Sequence, residues 1–118
     1  MSTPHSPVVY IPQEPRYKNP DGSWKTVDMV QLLDFGSPVV LLEPGEQVTF
    51  NAASTVRRIL AKMINFTEFD FVVAAGDPVA IGICCAIAAA RNLGCWTMLK
   101  WDRMEHRYFK VPVDLRNL

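Results

Sequence analysis

The second half of the chain alternates short and long apolar runs, and this pattern predicts a strand–helix–strand unit. Pro78 suits the first turn of the long run and Gly94 suits its end, as at the two ends of a helix. A connection of that length joins parallel strands by a right-handed crossover, and Pro112 is tolerated in an edge strand that returns antiparallel. The predicted elements are a strand at 69–75, a helix at 79–92, a strand at 96–101 and an edge strand at 107–113.

The first half of the chain predicts one strand and one amphipathic helix. Residues 38–42 are continuously apolar, as in a strand covered on both faces, and a turn follows at 43–46. Residues 48–50 have the composition of one more short strand, and residues 28–35 that of a short helix or turn. Between 53 and 64, apolar residues recur at three- and four-residue spacing, which predicts a helix. Its expected cap is Asn51 or Ser54, and its polar face carries Arg57, Arg58 and Lys62.

The first 27 residues differ from the rest because five of the nine prolines lie within the first 20 positions and exclude a helix there. We therefore expect an irregular arm at 1–27, with strand composition at 8–11 and a hairpin turning on Pro20-Asp21-Gly22. The arm either packs its aromatic residues on the main body or orders only on a partner. Those aromatic residues are Tyr10, Tyr17 and Trp24.

The expected fold is a single compact α/β domain at 28–118 preceded by this arm. Its sheet is mixed and mostly parallel, with a C-terminal antiparallel hairpin and two main helices. A length of 118 residues, 49% of them hydrophobic, suits one soluble globular domain with a core that needs neither disulfides nor a structural metal.

Charge and cysteine content narrow the function classes. Twelve basic residues balance twelve acidic ones, and this neutrality argues against indiscriminate binding to phosphate or to an anionic membrane. The adjacent Cys84 and Cys85 fit small buried hydrophobes, and neither the cysteines nor the two histidines have the spacing of a metal site. We expect no cofactor and no metal. The chain shows no signal peptide and no apolar run long enough to span a bilayer, so the expected compartment is the cytoplasm.

The first candidate site is the turn Gly76-Asp77-Pro78, which lies where a strand ends and a helix begins. Open α/β sheets place ligands at such turns. The same residues have a structural interpretation, which we favour: Gly76 bends the chain, Asp77 caps the helix and Pro78 starts it. The carboxylate of Asp77 disfavours a phosphate ligand and suits a hydroxyl-bearing or cationic one.

The second candidate site is the C-terminal hairpin, where basic and aromatic residues are interleaved as in proteins that stack bases and contact phosphates. Strand alternation divides these residues between two faces, and Asp102 and Glu105 offset two of the charges. A solvated hairpin is the alternative interpretation. The candidate contacts for nucleic acid or a protein partner are Lys100, Trp101, Arg103, His106, Arg107, Tyr108 and Lys110, joined by Arg57, Arg58 and Lys62 of the helix.

Small residues recur along the helix at 79–92, at Gly82, Ala86, Ala89 and Ala90. We expect this thin surface to lie close against the sheet; a symmetry mate is the alternative, because the helix is apolar nearly all round. No residues form a recognisable catalytic motif, so an enzyme is the minority hypothesis.

Several segments together resemble a group of small proteins of tailed bacteriophages whose function is not assigned. They are Tyr10–Pro15 (YIPQEP), Phe35-Gly36, Val40–Leu42, Pro44-Gly45, Gly76–Gly82 (GDPVAIG), Leu99–Arg103 (LKWDR), Arg107-Tyr108 and Val113–Leu115. The resemblance spans nearly the whole chain and implies a viral gene product made in the cytoplasm of a host bacterium. It implies no activity and no catalytic residues.

The leading hypothesis is an accessory or regulatory protein that acts without catalysis, binds a host or phage protein and forms a homodimer. A second hypothesis is nucleic-acid binding through the C-terminal hairpin. A third places a small ligand or a catalytic site at the turn around Asp77. No membrane partner is expected.

Overall fold

The computed structural model describes residues 6–26 and 29–116, apart from the side chains of Tyr17 and Thr26. Seven strands, two α-helices and one short 3₁₀ helix follow one another along this part of the chain. They are β1 (Val8–Gln13), β2 (Arg16–Lys18), β3 (Trp24–Thr26), the 3₁₀ helix (Val30–Asp34), β4 (Ser37–Leu42), α1 (Ala53–Lys62), β5 (Phe71–Val73), α2 (Pro78–Arg91), β6 (Cys95–Asp102) and β7 (Arg107–Asp114).

The main sheet has five strands in the order β4-β1-β5-β6-β7. β4, β1, β5 and β6 run parallel to one another, and β7 pairs antiparallel with β6 along its whole length. Parallel strands need crossover connections, and α1 and α2 supply two of them. The predicted α/β class, the mostly parallel sheet, the C-terminal antiparallel pair and the two helices are confirmed.

The two faces of the sheet are covered unequally. Alternate side chains of β1, β4, β5 and β6 pack against α1 and α2 in one apolar cluster, which includes Tyr10, Ile59, Val72 and Cys84. In the described part of the chain, the opposite face is covered by the 3₁₀ helix and the residues that flank it, Met29 and Phe35, and Leu32 is fully buried there against Val9, Ile11 and Phe71. Right-handed crossovers explain this unequal cover. In the order β4-β1-β5-β6-β7, the chain moves from β1 to β4 in one direction and from β4 to β5 and β5 to β6 in the other, so these connections lie on opposite faces of the sheet.

The main departure from expectation lies in the segment assigned to an irregular arm. Residues 8–13 form β1, an inner strand paired with β4 and β5, and Val9 and Ile11 are fully buried. Prolines exclude helix but do not exclude a strand between them, because residues 8–11 keep every backbone N–H. The carboxylate of Asp70, itself buried, accepts a hydrogen bond from the backbone N–H of Val8 at 2.9 Å and fixes the start of the strand.

The remainder of the arm behaves largely as expected. The hairpin forms, with β2 and β3 paired in a separate two-stranded sheet and Gly22 at φ +90° in the turn. Tyr10 packs in the core with its ring centroid 5.7 Å from that of Phe66. Trp24 is 55% exposed and contacts Arg16 rather than the core, unlike the expected packing. The Tyr17 side chain lies outside the described part.

Three smaller differences concern element boundaries. Residues 48–50 form no strand, and the loop there is held by a hydrogen bond from the Val48 N–H to the Asp77 carboxylate. The helix predicted at 53–64 ends at Lys62. The N-cap of α1 is Ala52, which makes no side-chain cap bond, so the predicted cap at Asn51 or Ser54 is wrong. The side chain of Asn51 accepts a hydrogen bond from the Ala53 N–H, and Ser54 lies within the helix. In the described ranges 6–26 and 29–116, no helix is long and apolar enough to cross a membrane.

Replacement of Ile11 by alanine tests whether β1 belongs to the core. We expect Ile11→Ala to lower the free energy of unfolding by about 2–5 kcal/mol, because it leaves a cavity at a fully buried site. The matched control is Leu33→Ala on the exposed side of the 3₁₀ helix, which should change it by no more than about 0.5 kcal/mol. Urea denaturation measures both. Equal effects of the two substitutions would contradict an inner position for β1.

Candidate functional site

The turn at 76–78 has the structural roles predicted for its three residues. Gly76 has φ +104°, and a Cβ there would collide with the side chain of Gln13. Asp77 Oδ1 accepts hydrogen bonds from the N–H groups of Val79 at 2.8 Å and Ala80 at 3.2 Å, and Pro78 is the first residue of α2. The first N–H groups of the helix are therefore already engaged by the protein.

Gln13 ties three chain segments together at the end of β1. Its Oε1 accepts a hydrogen bond from the Asp77 N–H at 2.8 Å. Its Nε2 donates to the carbonyl oxygens of Glu43 at 2.8 Å and Glu46 at 2.5 Å. The side chain is buried, so each of these bonds replaces water that the groups would otherwise contact. Gln13 was not predicted as a site residue; the one local signal is an amide at the end of an apolar strand.

An open cleft of about 580 Å³ lies beside Gln13, at the carboxyl ends of β1 and β5. β1 and β5 are neighbours in the sheet, but the chain leaves them toward opposite faces, one to the 3₁₀ helix and one to α2. Such a divergence opens a crevice at the sheet edge. The cleft is lined by Gln13, Glu14, Pro15, Arg16, Trp24, Gly45, Glu46, Gln47, Gly76, Asp77 and Pro78.

A cation–π contact and an ion pair shape the rim of the cleft. The guanidinium of Arg16 lies 4.2 Å from the ring centroid of Trp24, and Gly45 leaves it room, because a Cβ there would strike it. Arg58 donates to Glu46 at 2.6 Å. The hydrogen bond from Arg58 holds the pKa of the Glu46 carboxyl below its usual value. Asp77 Oδ2 accepts a bond from the Val48 N–H at 3.3 Å.

The C-terminal hairpin brings Trp101 and Tyr108 together on one face and divides its basic residues between both faces. Trp101 pairs with Tyr108 across the strands, with ring centroids 5.0 Å apart, and its ring lies 6.4 Å from that of His106. Lys110 shares that face and lies 5.4 Å from the ring centroid of Phe71. The opposite face carries Lys100 and Arg107. The expected division between two faces is thus what the pairing produces.

The hairpin projects from the same sheet edge as the cleft. β6 pairs with β5 only as far as Leu99, so Lys100, Trp101 and Asp102 extend beyond the end of β5. The exposed tip carries Arg103 and His106. The two candidate sites of the sequence analysis therefore lie on one edge.

Two of the three basic residues on the polar face of α1 are bonded to other residues of the protein. Arg58 is ion-paired with Glu46, and Lys62 Nζ donates to the carbonyl oxygen of Val40 at 3.3 Å. Arg57 is exposed, and no described residue pairs with it. The structure does not bring these three residues to the hairpin. α1 packs near β4, the first strand in the sheet order, whereas the hairpin is formed by β6 and β7, the last two strands.

None of the four small residues expected to lie against the sheet, Gly82, Ala86, Ala89 and Ala90, is a buried position of α2. Ala80, Cys84 and Ala88 are the buried positions of the helix, whereas Gly82, Ala86 and Ala90 are exposed. The expectation failed because α2 is apolar on every side, so its periodicity could not select the buried stripe. Burial raises the pKa of the Cys84 thiol to about 12, as expected for an inert core cysteine.

Among the residues at 6–26 and 29–116, no group of three or more histidine, cysteine, aspartate or glutamate side chains is arranged to hold a metal ion. All three cysteines are unpaired.

A family described as "Phage Pam3 gp32-like protein" matches the chain over residues 7–115, which include both the cleft and the hairpin. The match confirms the resemblance to phage proteins. No curated protein and no solved structure matches the chain.

Replacement of Gln13 by alanine tests the role of its amide at the cleft. We expect Gln13→Ala to lower the free energy of unfolding by about 1–3 kcal/mol, because the Asp77 N–H and two carbonyl oxygens lose a buried partner. Gln47→Ala is the matched control, since Gln47 is an exposed residue of the same cleft. Thermal and urea unfolding report the difference. If the two variants were equally stable, the amide would not hold the cleft together.

Proposed function

Since the chain belongs to the phage Pam3 gp32-like family, we propose that it is a phage accessory protein that acts without catalysis. It forms a homodimer in the cytoplasm of the host bacterium and binds a host or phage protein. The observation that carries this proposal is the exposed outer face of α2, which has no polar side chain from Pro78 to Ala90.

The outer face of α2 is unusual for a surface helix. Val79 is 48% exposed, and Gly82, Ala86 and Ala90 are exposed further along the same side. Surface helices of monomeric proteins normally carry charged or polar residues there. Since contiguous exposed apolar surface is typical of an interface, this face supports a binding function.

The apolar surface continues onto α1. Arg58 and Lys62 reach from one flank of α1 toward β4 and the loop that follows it, so the other flank turns toward α2. That other flank is also apolar and partly exposed. It carries Val56, Leu60 and, just after the helix, Ile64.

A second copy of the chain is the occupant that fits this surface best. Small side chains let two α2 helices approach closely, and a Cβ at Gly82 would meet nothing within 4 Å. If two α2 helices pack antiparallel about a two-fold axis that crosses them at the level of Cys84, between Gly82 and Ala86, Arg91 of one copy lies beside Asp77 of the other. Antiparallel helices also place opposite dipole ends together. A net charge of zero adds little repulsion between copies.

The hairpin supplies the contact with the protein partner in this proposal. Residues 100–110 contain four basic and two acidic side chains, so an acidic surface on the partner would be complementary. Tryptophan, tyrosine and arginine dominate binding energy at protein interfaces. Trp101 is 39% exposed and packs edge to face against the buried Tyr108 on the neighbouring strand, which favours a rigid aromatic anchor.

Nucleic-acid binding by the same hairpin is the second candidate function. The observation that favours it is the aromatic pair Trp101–Tyr108 on one face with Lys110, which resembles a stacking surface beside a phosphate contact. Lys100 and Arg107 lie on the other face and would not reach the same strand of nucleic acid. Protein binding is therefore the preferred proposal.

A charge on the outer face of α2 tests the dimer. We expect Ala86→Glu to raise the dimer dissociation constant by at least about 100-fold, because the two-fold interface would then bury two unpaired carboxylates. Light scattering and sedimentation at tens of micromolar measure the mass of each variant, and circular dichroism checks the fold. Gln31→Glu, on the exposed side of the 3₁₀ helix, is the control and should remain dimeric. A strictly monomeric wild-type protein would refute the dimer.

Removal of Trp101 tests the partner contact. From infected cells treated with nuclease, the tagged protein should retain one phage or host protein, and Trp101→Ala should reduce that recovery about tenfold or more. Trp24→Ala removes an exposed tryptophan elsewhere and serves as the control. Recovery that disappears with nuclease, together with affinity for DNA or RNA that falls steeply with salt, would support the second candidate instead.

A further inference from the structure

The cleft beside Gln13 has the construction of a binding site and shares only the start of α2, at Asp77 and Pro78, with the proposed dimer face. Its volume of about 580 Å³ lies within the range of small-molecule pockets, roughly 300–1,000 Å³. Its walls are held in place, because Gln13 bonds to the turn at Asp77 and to the loop at Glu43 and Glu46. Gly76 allows close approach to the Gln13 end of β1, which a side chain at that position would prevent. A ligand would therefore meet a preformed surface.

Two opposite charges in the cleft have no partner in the described part of the chain. Glu46 is paired with Arg58, and both oxygens of Asp77 accept bonds from backbone N–H groups. Arg16 lies on Trp24 without any hydrogen bond or ion pair to a described residue. The carboxylate of Glu14 is likewise without one, although Glu14 is half-buried. Because Glu14 is partly removed from water, its unpaired carboxylate is costly unless a ligand compensates it, whereas Arg16 is exposed and its guanidinium is accessible to a ligand.

The side chains that line the cleft favour a ligand with one negatively charged and one positively charged group. The amino end of α2 offers no anion site, because Asp77 Oδ1 already accepts from its first N–H groups. The carboxylates of Asp77 and Glu14 would repel a doubly charged phosphate. A guanidinium suits a carboxylate, which it holds with two parallel hydrogen bonds. Glu14 would pair with a cationic donor such as an ammonium group, and the exposed ring of Trp24 offers an apolar contact.

We propose that this cleft binds a free α-amino acid, with the ligand carboxylate on Arg16 and the ligand ammonium group on Glu14. The site does not depend on the dimer or on the hairpin. It would make the protein responsive to a small molecule of the host cytoplasm.

The probes are the twenty free L-amino acids, each added at about 10 mM, a concentration that detects even weak millimolar binding. The indole N–H signal of Trp24 in a ¹H–¹⁵N spectrum reports binding in the cleft. We expect at least one amino acid to shift this signal in a saturable way. Arg16→Gln should weaken that binding about tenfold or more, and Glu14→Gln should weaken it about fivefold or more. Arg103→Gln at the hairpin tip removes the same charge elsewhere and should leave the affinity unchanged.

Matched fragments separate the two contacts. The deaminated acid and the decarboxylated amine of the amino acid that binds should each bind about tenfold more weakly than the amino acid itself. The proposal is overturned if no amino acid binds, if Arg16→Gln binds as tightly as the wild type, or if inorganic phosphate binds better than every amino acid. Unchanged unfolding temperatures of the Arg16 and Glu14 variants show that a loss of binding is not a loss of fold. A monomeric protein that still binds an amino acid would refute the dimer alone.

Discussion

β1 pairs in parallel with β4 on one side and with β5 on the other, and a parallel pair cannot be closed by a tight turn. Each connection around β1 must therefore cross a face of the sheet. The connection from β1 to β4 covers one face with the 3₁₀ helix, and the connections from β4 and β5 cover the other with α1 and α2. The same divergence opens the cleft at the carboxyl ends of β1 and β5. The position of this one strand thus determines both the layers of the fold and the location of the candidate site.

The two ends of β1 are held by buried polar side chains rather than by apolar contacts. Asp70 binds the Val8 N–H at the start and also accepts bonds from Thr67, while Gln13 bonds to three backbone groups at the end. Apolar packing fixes which face of the strand is buried but leaves its position along the neighbouring strands free to slip. Directional hydrogen bonds at both ends remove that freedom. In the described part of the chain, every buried side-chain nitrogen and oxygen has a hydrogen-bond partner.

Local signals in the sequence were sufficient for elements whose stability is local. The turn at Pro20-Asp21-Gly22, the cap at Asp77 and the C-terminal pair of strands all depend on near neighbours, and all were predicted. The buried role of residues 8–13 depends on partners more than twenty residues away, so the prolines around them dominated the local pattern. The buried side of α2 was not predictable, because an apolar helix has no moment that points to the core. Gln13 acquires its role only when two loops meet the end of β1, which no single segment encodes.

Asp77 belongs to both surfaces for which a function is proposed. Its Oδ1 caps the amino end of α2, whose outer face is the proposed dimer contact. Its Oδ2 accepts a hydrogen bond from the Val48 N–H, in the loop beside the cleft. A substitution at Asp77 would therefore perturb both surfaces at once and could not assign an effect to either. Ala86 lies only on the outer face of α2, and Arg16 lies only in the cleft. Because these two residues share no described contact, their effects on stability should add, and any change that appears at one surface can be assigned to that surface.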